Sequence, residues 1–234
     1  MFRFKQFTVQ QNSVSMKVNT DGVLLGAWAN VENATTILDV GTGTGVIALM
    51  MAQRNAIAKI DSIEINKSAV QQAQENFDNS LWSERLSVFN QSFQDYAKQI
   101  DKRYDLIVSN PPYFVDALLP PSDVRKQSRH ADDLSHEALI FYVKKILQPS
   151  GVFSLILPIT EGMNFIQLAN SCQFFCIRKT IVYSQRHKLP KRLLLEFSLE
   201  KSPLLEDELC IYEANSNEYS DAYKSLTSEF YLNF

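Results

Sequence analysis

Cysteine is scarce in this chain: 234 residues contain only Cys172, Cys176 and Cys210. An odd number without paired C-x-x-C spacing excludes a disulfide framework and reads as ordinary buried thiols of a reducing cytoplasm. Three histidines without a tight ligand cluster give no metal centre to expect. No apolar run reaches the roughly 20 residues that span a bilayer. The N-terminus, Met1 to Phe7, alternates aromatic and polar residues. That pattern predicts a strand with packing phenylalanines, whereas a signal peptide needs a continuous apolar stretch. Internal repeats and low-complexity tracts are missing as well. The basic excess of many nucleic-acid binders is also missing, since the net charge is −3 and the pI is near 5.7. What is present is ordinary apolar content, 45%, enough for a real core. The length fits one domain: an N-terminal segment 1–34, a core 35–200 and a C-terminal extension 201–234. A cytoplasmic monomer is expected.

The elements alternate. Strands are predicted at 36–40, 59–63, 85–90, 104–109 and 152–157. Helices are predicted at 44–54, 67–79 with Asn66 as cap, 93–100, 136–147 with Ser135 as cap, and 162–170. Alternation of this kind implies an α/β fold, a mostly parallel sheet covered on both faces. Two last strands, 175–183 and 193–200, have little chain between them and predict an antiparallel terminal hairpin. Residues 111–134 form the longest loop, and a loop that long is usually functional.

Glycine is scarce too, yet three of seven fall within Gly41-Thr42-Gly43-Thr44-Gly45, between an apolar strand and an apolar helix. Gly41, Gly43 and Gly45 permit positive φ and close approach to a ligand, and the helix start offers free N–H groups. The next strand ends at Glu64, where a carboxylate suits the two hydroxyls of a ribose. The spacing is G-x-G-x-G, and Asp39 stands two residues before the first glycine. An acid there repels a pyrophosphate and suits the cationic amino-acid part of S-adenosylmethionine (SAM). A second motif, Asn110-Pro111-Pro112-Tyr113, ends the strand 104–109. Two prolines cannot extend a strand, so Asn110 is held extended at its carboxyl end. An amide oxygen, an unpaired carbonyl and an aromatic ring suit a flat heterocycle carrying an amino group.

With both motifs in this order, the chain resembles the SAM-dependent amino-methyltransferases. Further residues resemble one subfamily: Met16 to Trp28, Phe114, Arg129 with His130, and Tyr219-Ser220-Asp221-Ala222-Tyr223. That subfamily is the tRNA1(Val) adenine-37 N6-methyltransferases, and the similarity covers nearly the whole chain. The resemblance implies a Rossmann-like sheet. It implies that SAM is held by Thr20, Asp39, Gly41, Gly43, Gly45, Glu64 and Asn110, and that Asn110, Pro111, Pro112 and Tyr113 form the catalytic motif. Relatives often carry an acid after the third strand, at the cofactor's adenine. Ser92 stands there, so Ser92 or Gln91 is expected on the base edge and Phe93 on its face. The tRNA is expected to meet Phe114, Arg129 and His130, and a second basic cluster, Arg186, Lys188, Lys191 and Arg192.

Other readings stay open at this point. Protein glutamine amides and guanine N2 of ribosomal RNA also present a planar NH2 beside a π-system. A non-catalytic RNA-binding protein of the same fold is a different class. A nicotinamide oxidoreductase leaves Asn110 to Tyr113 unexplained. Either basic cluster also fits a plain solvated face. His130 suits a phosphate contact better than a catalytic base, because the methylated amine is very acidic and needs none.

Overall fold

The computed structural model describes residues 1–12, 17–111, 134–214 and 216–233. Two short strands, β1 (Phe2–Arg3) and β2 (Thr8–Val9), open the chain as a hairpin, followed by α1 (Thr20–Trp28). Then come β3 (Thr36–Val40), α2 (Val46–Arg54), β4 (Lys59–Glu64), α3 (Lys67–Asp78), β5 (Leu86–Asn90), α4 (Phe93–Gln99) and β6 (Tyr104–Ser109). After residue 134 follow α5 (His136–Ile146), β7 (Leu147–Pro158), α6 (Ile159–Ser171), β8 (Phe175–Tyr183), β9 (Arg192–Ser198), β10 (Leu205–Cys210) and α7 (Asp221–Thr227).

Eight strands form one sheet in the order β10-β8-β9-β7-β6-β3-β4-β5, and β9 alone runs against the others. Alternation along β3 shows how the two faces divide. Ile37 joins one apolar cluster with α1, α2, Phe77 of α3 and Tyr223 of α7, while Leu38 and Val40 join the other, with α4, α5 and α6. The N-terminal hairpin docks on the C-terminal segment, with Phe4 edge-on to Phe230 at 6.5 Å and the Lys5 N–H donating to the Phe230 carbonyl at 2.8 Å. Helix α1 approaches α2 closely, because a Cβ at Gly26 would stand 2.7 Å from Met50 Sδ. Trp28 is buried, donates to Thr180 Oγ1 and lies under the Arg178 guanidinium at 3.9 Å.

Several expectations are corrected. β7 begins at Leu147, not at 152, because Leu147 already pairs with Tyr104 across a register shift. The next helix begins at Ile159, directly after Pro158, which has no N–H to leave unpaired at a helix start. The β8–β9 hairpin is antiparallel as expected, but it does not end the sheet. The C-terminal extension adds β10 parallel to β8, and Lys179 pairs with Glu206 across that edge at 2.5 Å. Cys172 is exposed, so only Cys176 and Cys210 are partly buried thiols. No helix among the described residues is long and apolar enough to cross a membrane.

Candidate active site

β3 and β6 are neighbours, with Val40 opposite Ser109, and the Ser109 hydroxyl donates to the Val40 carbonyl at 3.0 Å. The glycine loop and Asn110 therefore leave the sheet at adjacent points on its carboxyl edge. Ligands of open α/β sheets sit at such an edge. Asn110 is half-buried and Pro111 buried. Pro112, Tyr113, Phe114, Arg129 and His130 lie outside the described residues.

Gly41, Gly43 and Gly45 all have positive φ, +75°, +55° and +80°. They do different work. A Cβ on Gly41 or Gly43 would point into open space, whereas one on Gly45 would meet Phe77 Cε1 at 2.5 Å. Gly45 is thus a packing glycine at the start of α2, and the space for a ligand lies at Gly41 and Gly43. The N–H groups of the loop itself, ahead of the helix start, are engaged. Gly41 and Thr42 donate to the Ile63 carbonyl at 2.9 and 3.1 Å, Gly43 to Glu64 Oε2 at 3.1 Å, and Gly45 to the Thr42 carbonyl at 2.9 Å. A pyrophosphate needs open donors here. The loop supplies shape and acidic neighbours instead.

Those neighbours are Asp39 and Glu64. Strand alternation turns Asp39 toward α2, and it has no exposure. Its Oδ2 accepts the Thr42 hydroxyl at 2.6 Å, and Oδ1 has no partner in hydrogen-bonding geometry. Burial pushes this carboxyl up to about 7; the Thr42 hydroxyl and the nearby Ala48 N–H pull it down, and Glu64 pushes it further up. Asp39 is therefore a buried acid with one orphaned oxygen beneath the loop. Glu64 Oε1 accepts the Asn66 N–H at 2.9 Å, so each Glu64 oxygen holds one N–H and keeps acceptor capacity. The orphaned oxygen, the two open glycines and the free lone pairs of Glu64 fit a cationic ligand that carries a ribose.

Other expected residues fall elsewhere. Ser92 caps α4: its hydroxyl accepts the Asp95 N–H at 3.1 Å and donates to Asp95 Oδ2 at 2.8 Å. Phe93 is 4% exposed and edge-on to Tyr142. Thr20 is exposed in the first turn of α1. Arg192 is bound to Asp21 at 2.8 Å, joining β9 to α1, so it is no free phosphate ligand. Arg186 is exposed and touches Glu208 at 3.5 Å, while Lys188 and Lys191 are exposed.

Asn76 went unnoticed in the sequence. It is 2% exposed on α3; its Nδ2 donates to the Thr44 carbonyl at 2.8 Å and the Gln10 carbonyl at 2.9 Å, and its Oδ1 accepts the Gln10 N–H at 2.8 Å. One amide thus fastens the glycine loop to the N-terminal segment. The sequence signal was weak: an asparagine three residues from the end of a polar helix.

The strand order, the glycine loop after β3 and the acid at the end of β4 define a Rossmann-like methyltransferase. Residues 19–158 match the family described as "Methyltransferase small domain". Two solved structures share the fold. One, from Agrobacterium tumefaciens and described as a predicted O-methyltransferase, has a TM-score of 0.72 at 20% identity over 90% of this chain and 96% of its own. The other, a glycopeptide N-methyltransferase complexed with SAM, has a TM-score of 0.57 at 13% identity over 79% and 100%. The chain belongs to the tRNA1(Val) (adenine(37)-N6)-methyltransferase family. A relative so named in Bacteroides fragilis is 44% identical over 99% of this chain and 97% of its own length. Those of Trichodesmium erythraeum and Histophilus somni are 44% and 42% identical, each over 100% of this chain and 98% of their own length.

Proposed function

We propose that this chain transfers a methyl group from SAM to N6 of adenine 37 in the anticodon loop of a valine tRNA. The observation that carries the chemistry is the adjacency of the glycine loop and Asn110, tied at Val40 and Ser109. The substrate rests on relatives that match over nearly their whole length.

SAM supplies an electrophilic methyl on a sulfonium. Glu64 is placed for the ribose hydroxyls, Gly41 and Gly43 leave room for close approach, and Asp39 gives the cation a negative neighbour. Asn110 and the Pro111 carbonyl act on the acceptor. That nitrogen is a poor nucleophile, since its lone pair is delocalised into the ring. Accepting its two hydrogens favours pyramidalisation, localises the lone pair and stabilises the positive charge that develops on N6. The resemblance gives Tyr113 the stacking that aligns the base and gives Pro112 the rigid turn between them. Alignment of this kind supplies several kcal/mol; well-oriented systems reach roughly 7–11. An anticodon-loop adenine is unpaired, so presenting it costs less than extracting a base from a duplex. Lys188 and Lys191, with Phe114, Arg129 and His130, complete the RNA contacts.

The test is incubation of the purified protein with total RNA and radiolabelled SAM. Label in the tRNA fraction supports the reading; label in protein, or in ribosomal RNA alone, overturns it.

A further inference from the structure

A second cleft opens on the same edge of the sheet, away from the glycine loop. β8 and β10 run in the direction of β6 and β7, so the segments that leave them emerge on the same edge of the sheet as Gly41 and Asn110. The β8–β9 loop forms one wall and the turn between β10 and α7 the other. They flank a cleft of about 370 Å³ that is largely open to solvent, lined by Gln185, His187, Lys188, Ser216 and Asn217. That volume lies within the range of small-ligand sites.

The walls are locked together. Gln185 is buried, and its Nε2 donates to the Ser216 carbonyl at 2.9 Å and the Glu213 carbonyl at 3.5 Å. Ile211 and Tyr212 donate their N–H groups to the Tyr183 and Ser184 carbonyls at 2.9 and 3.0 Å. Within the loop, Lys188 N–H meets the Gln185 carbonyl and Lys191 N–H the Val182 carbonyl, both at 2.9 Å. Behind the turn, Tyr212 stacks on Tyr219 at 5.1 Å and Tyr219 on the buried Tyr223 at 5.0 Å. A pre-formed shape loses little entropy on binding.

The chemistry of the lining is selective. It holds an ammonium, an imidazole, two amides and a hydroxyl, with no carboxylate and no apolar anchor among the described residues. Ser216 Oγ accepts the Glu218 N–H at 3.1 Å, which leaves its proton to donate. A protein partner would ask for an aromatic or aliphatic anchor. An ammonium and an imidazole ask for a phosphate, and amides with a hydroxyl ask for a 2′-hydroxyl or a base edge. Three strand spacings separate β8 from β6, about 14 Å, roughly four stacked nucleotides.

We propose that this cleft is a second contact site for the RNA substrate, holding one ribonucleotide a few positions from the methylated base. The phosphate meets Lys188 and His187; the 2′-hydroxyl or base edge meets Ser216 and Asn217. This deepens the reading above and rests on it. The probe is a fluorescein-labelled stem-loop with the anticodon arm of a valine tRNA. Lys188→Gln, and His187→Ala combined with Asn217→Ala, change exposed side chains. Each variant should weaken RNA binding about five- to tenfold, and Lys188→Gln should lower the log–log salt slope by roughly 0.7–0.9. SAM affinity and the thermal midpoint should stay at wild-type values. Unchanged RNA affinity in both variants, while the wild type binds and methylates the probe, overturns the cleft and leaves the function standing. Weakened binding in the variants, with no methylation by the wild type, keeps the cleft and overturns the function. No binding by the wild type overturns both.

Discussion

Asp39→Asn tests the electrostatics beneath the glycine loop. Burial raises the Asp39 carboxyl from 3.8 to about 7. Between about pH 4 and pH 7 the folded chain keeps this proton while the unfolded chain has lost it. Unfolding then releases a proton, so stability falls as pH rises through that window. Above pH 7 the whole penalty is present: about three units at 1.36 kcal/mol each, roughly 4 kcal/mol. Asparagine keeps an acceptor for the Thr42 hydroxyl and has no charge to bury. Urea unfolding of the cofactor-free protein should therefore find Asp39→Asn more stable than wild type at pH 8, by up to about 4 kcal/mol. The difference should shrink toward zero near pH 4. Cofactor binding reverses the preference, because a cation beside Asp39 favours the ionised form. Wild-type affinity for SAM should rise with pH through about 7, and binding at pH 6.5 should release a proton. Calorimetry in buffers of different ionisation enthalpy counts that proton; Asp39→Asn should bind more weakly and release none. A stability difference that is flat with pH, or binding without proton release, would refute the reasoning.

Three further outcomes follow from the same geometry. Gly43→Val should abolish SAM binding in calorimetry while costing about 1–2 kcal/mol of stability from its positive φ, whereas Gly45→Ala should mainly unfold the protein, because its Cβ strikes Phe77. Asn76→Asp turns a donor to two carbonyls into an acceptor; it should weaken SAM binding and lower stability by about 2–4 kcal/mol, and an unchanged SAM affinity would reduce Asn76 to a packing residue. Asn110→Ala should cut kcat by roughly 100-fold or more at near-normal SAM affinity, and Tyr113→Phe should be mild where Tyr113→Ala is severe. Equal damage from the two Tyr113 changes would make the hydroxyl, not the ring, the active group.

The parts legible in the sequence were those whose partners are near in the chain. The β3–loop–α2 unit, Glu64 at the end of β4 and the caps Asn66 and Ser135 all follow from local pattern. The capping role of Ser92 was missed although its signal was present: Asp95 three residues later makes a capping pair with it at the start of α4. Arg192 was read as part of a basic run, but its partner Asp21 is 171 residues away and no local pattern joins them. β10 was hidden because Glu206, Asp207 and Glu208 lack the apolar alternation of a strand. They are an edge strand whose acids face Lys179, Thr180 and Arg186, and charge on an edge guards it against further pairing.

The most direct measurement is the position of the methyl group. The wild-type protein, SAM and two transcripts of a valine tRNA, one with adenine and one with guanine at position 37, should be incubated, digested with nuclease and analysed by mass spectrometry. The account predicts N6-methyladenosine at position 37 of the first transcript and no product from the second. N2-methylguanosine, or methylation at any other position of the adenine transcript, would contradict it.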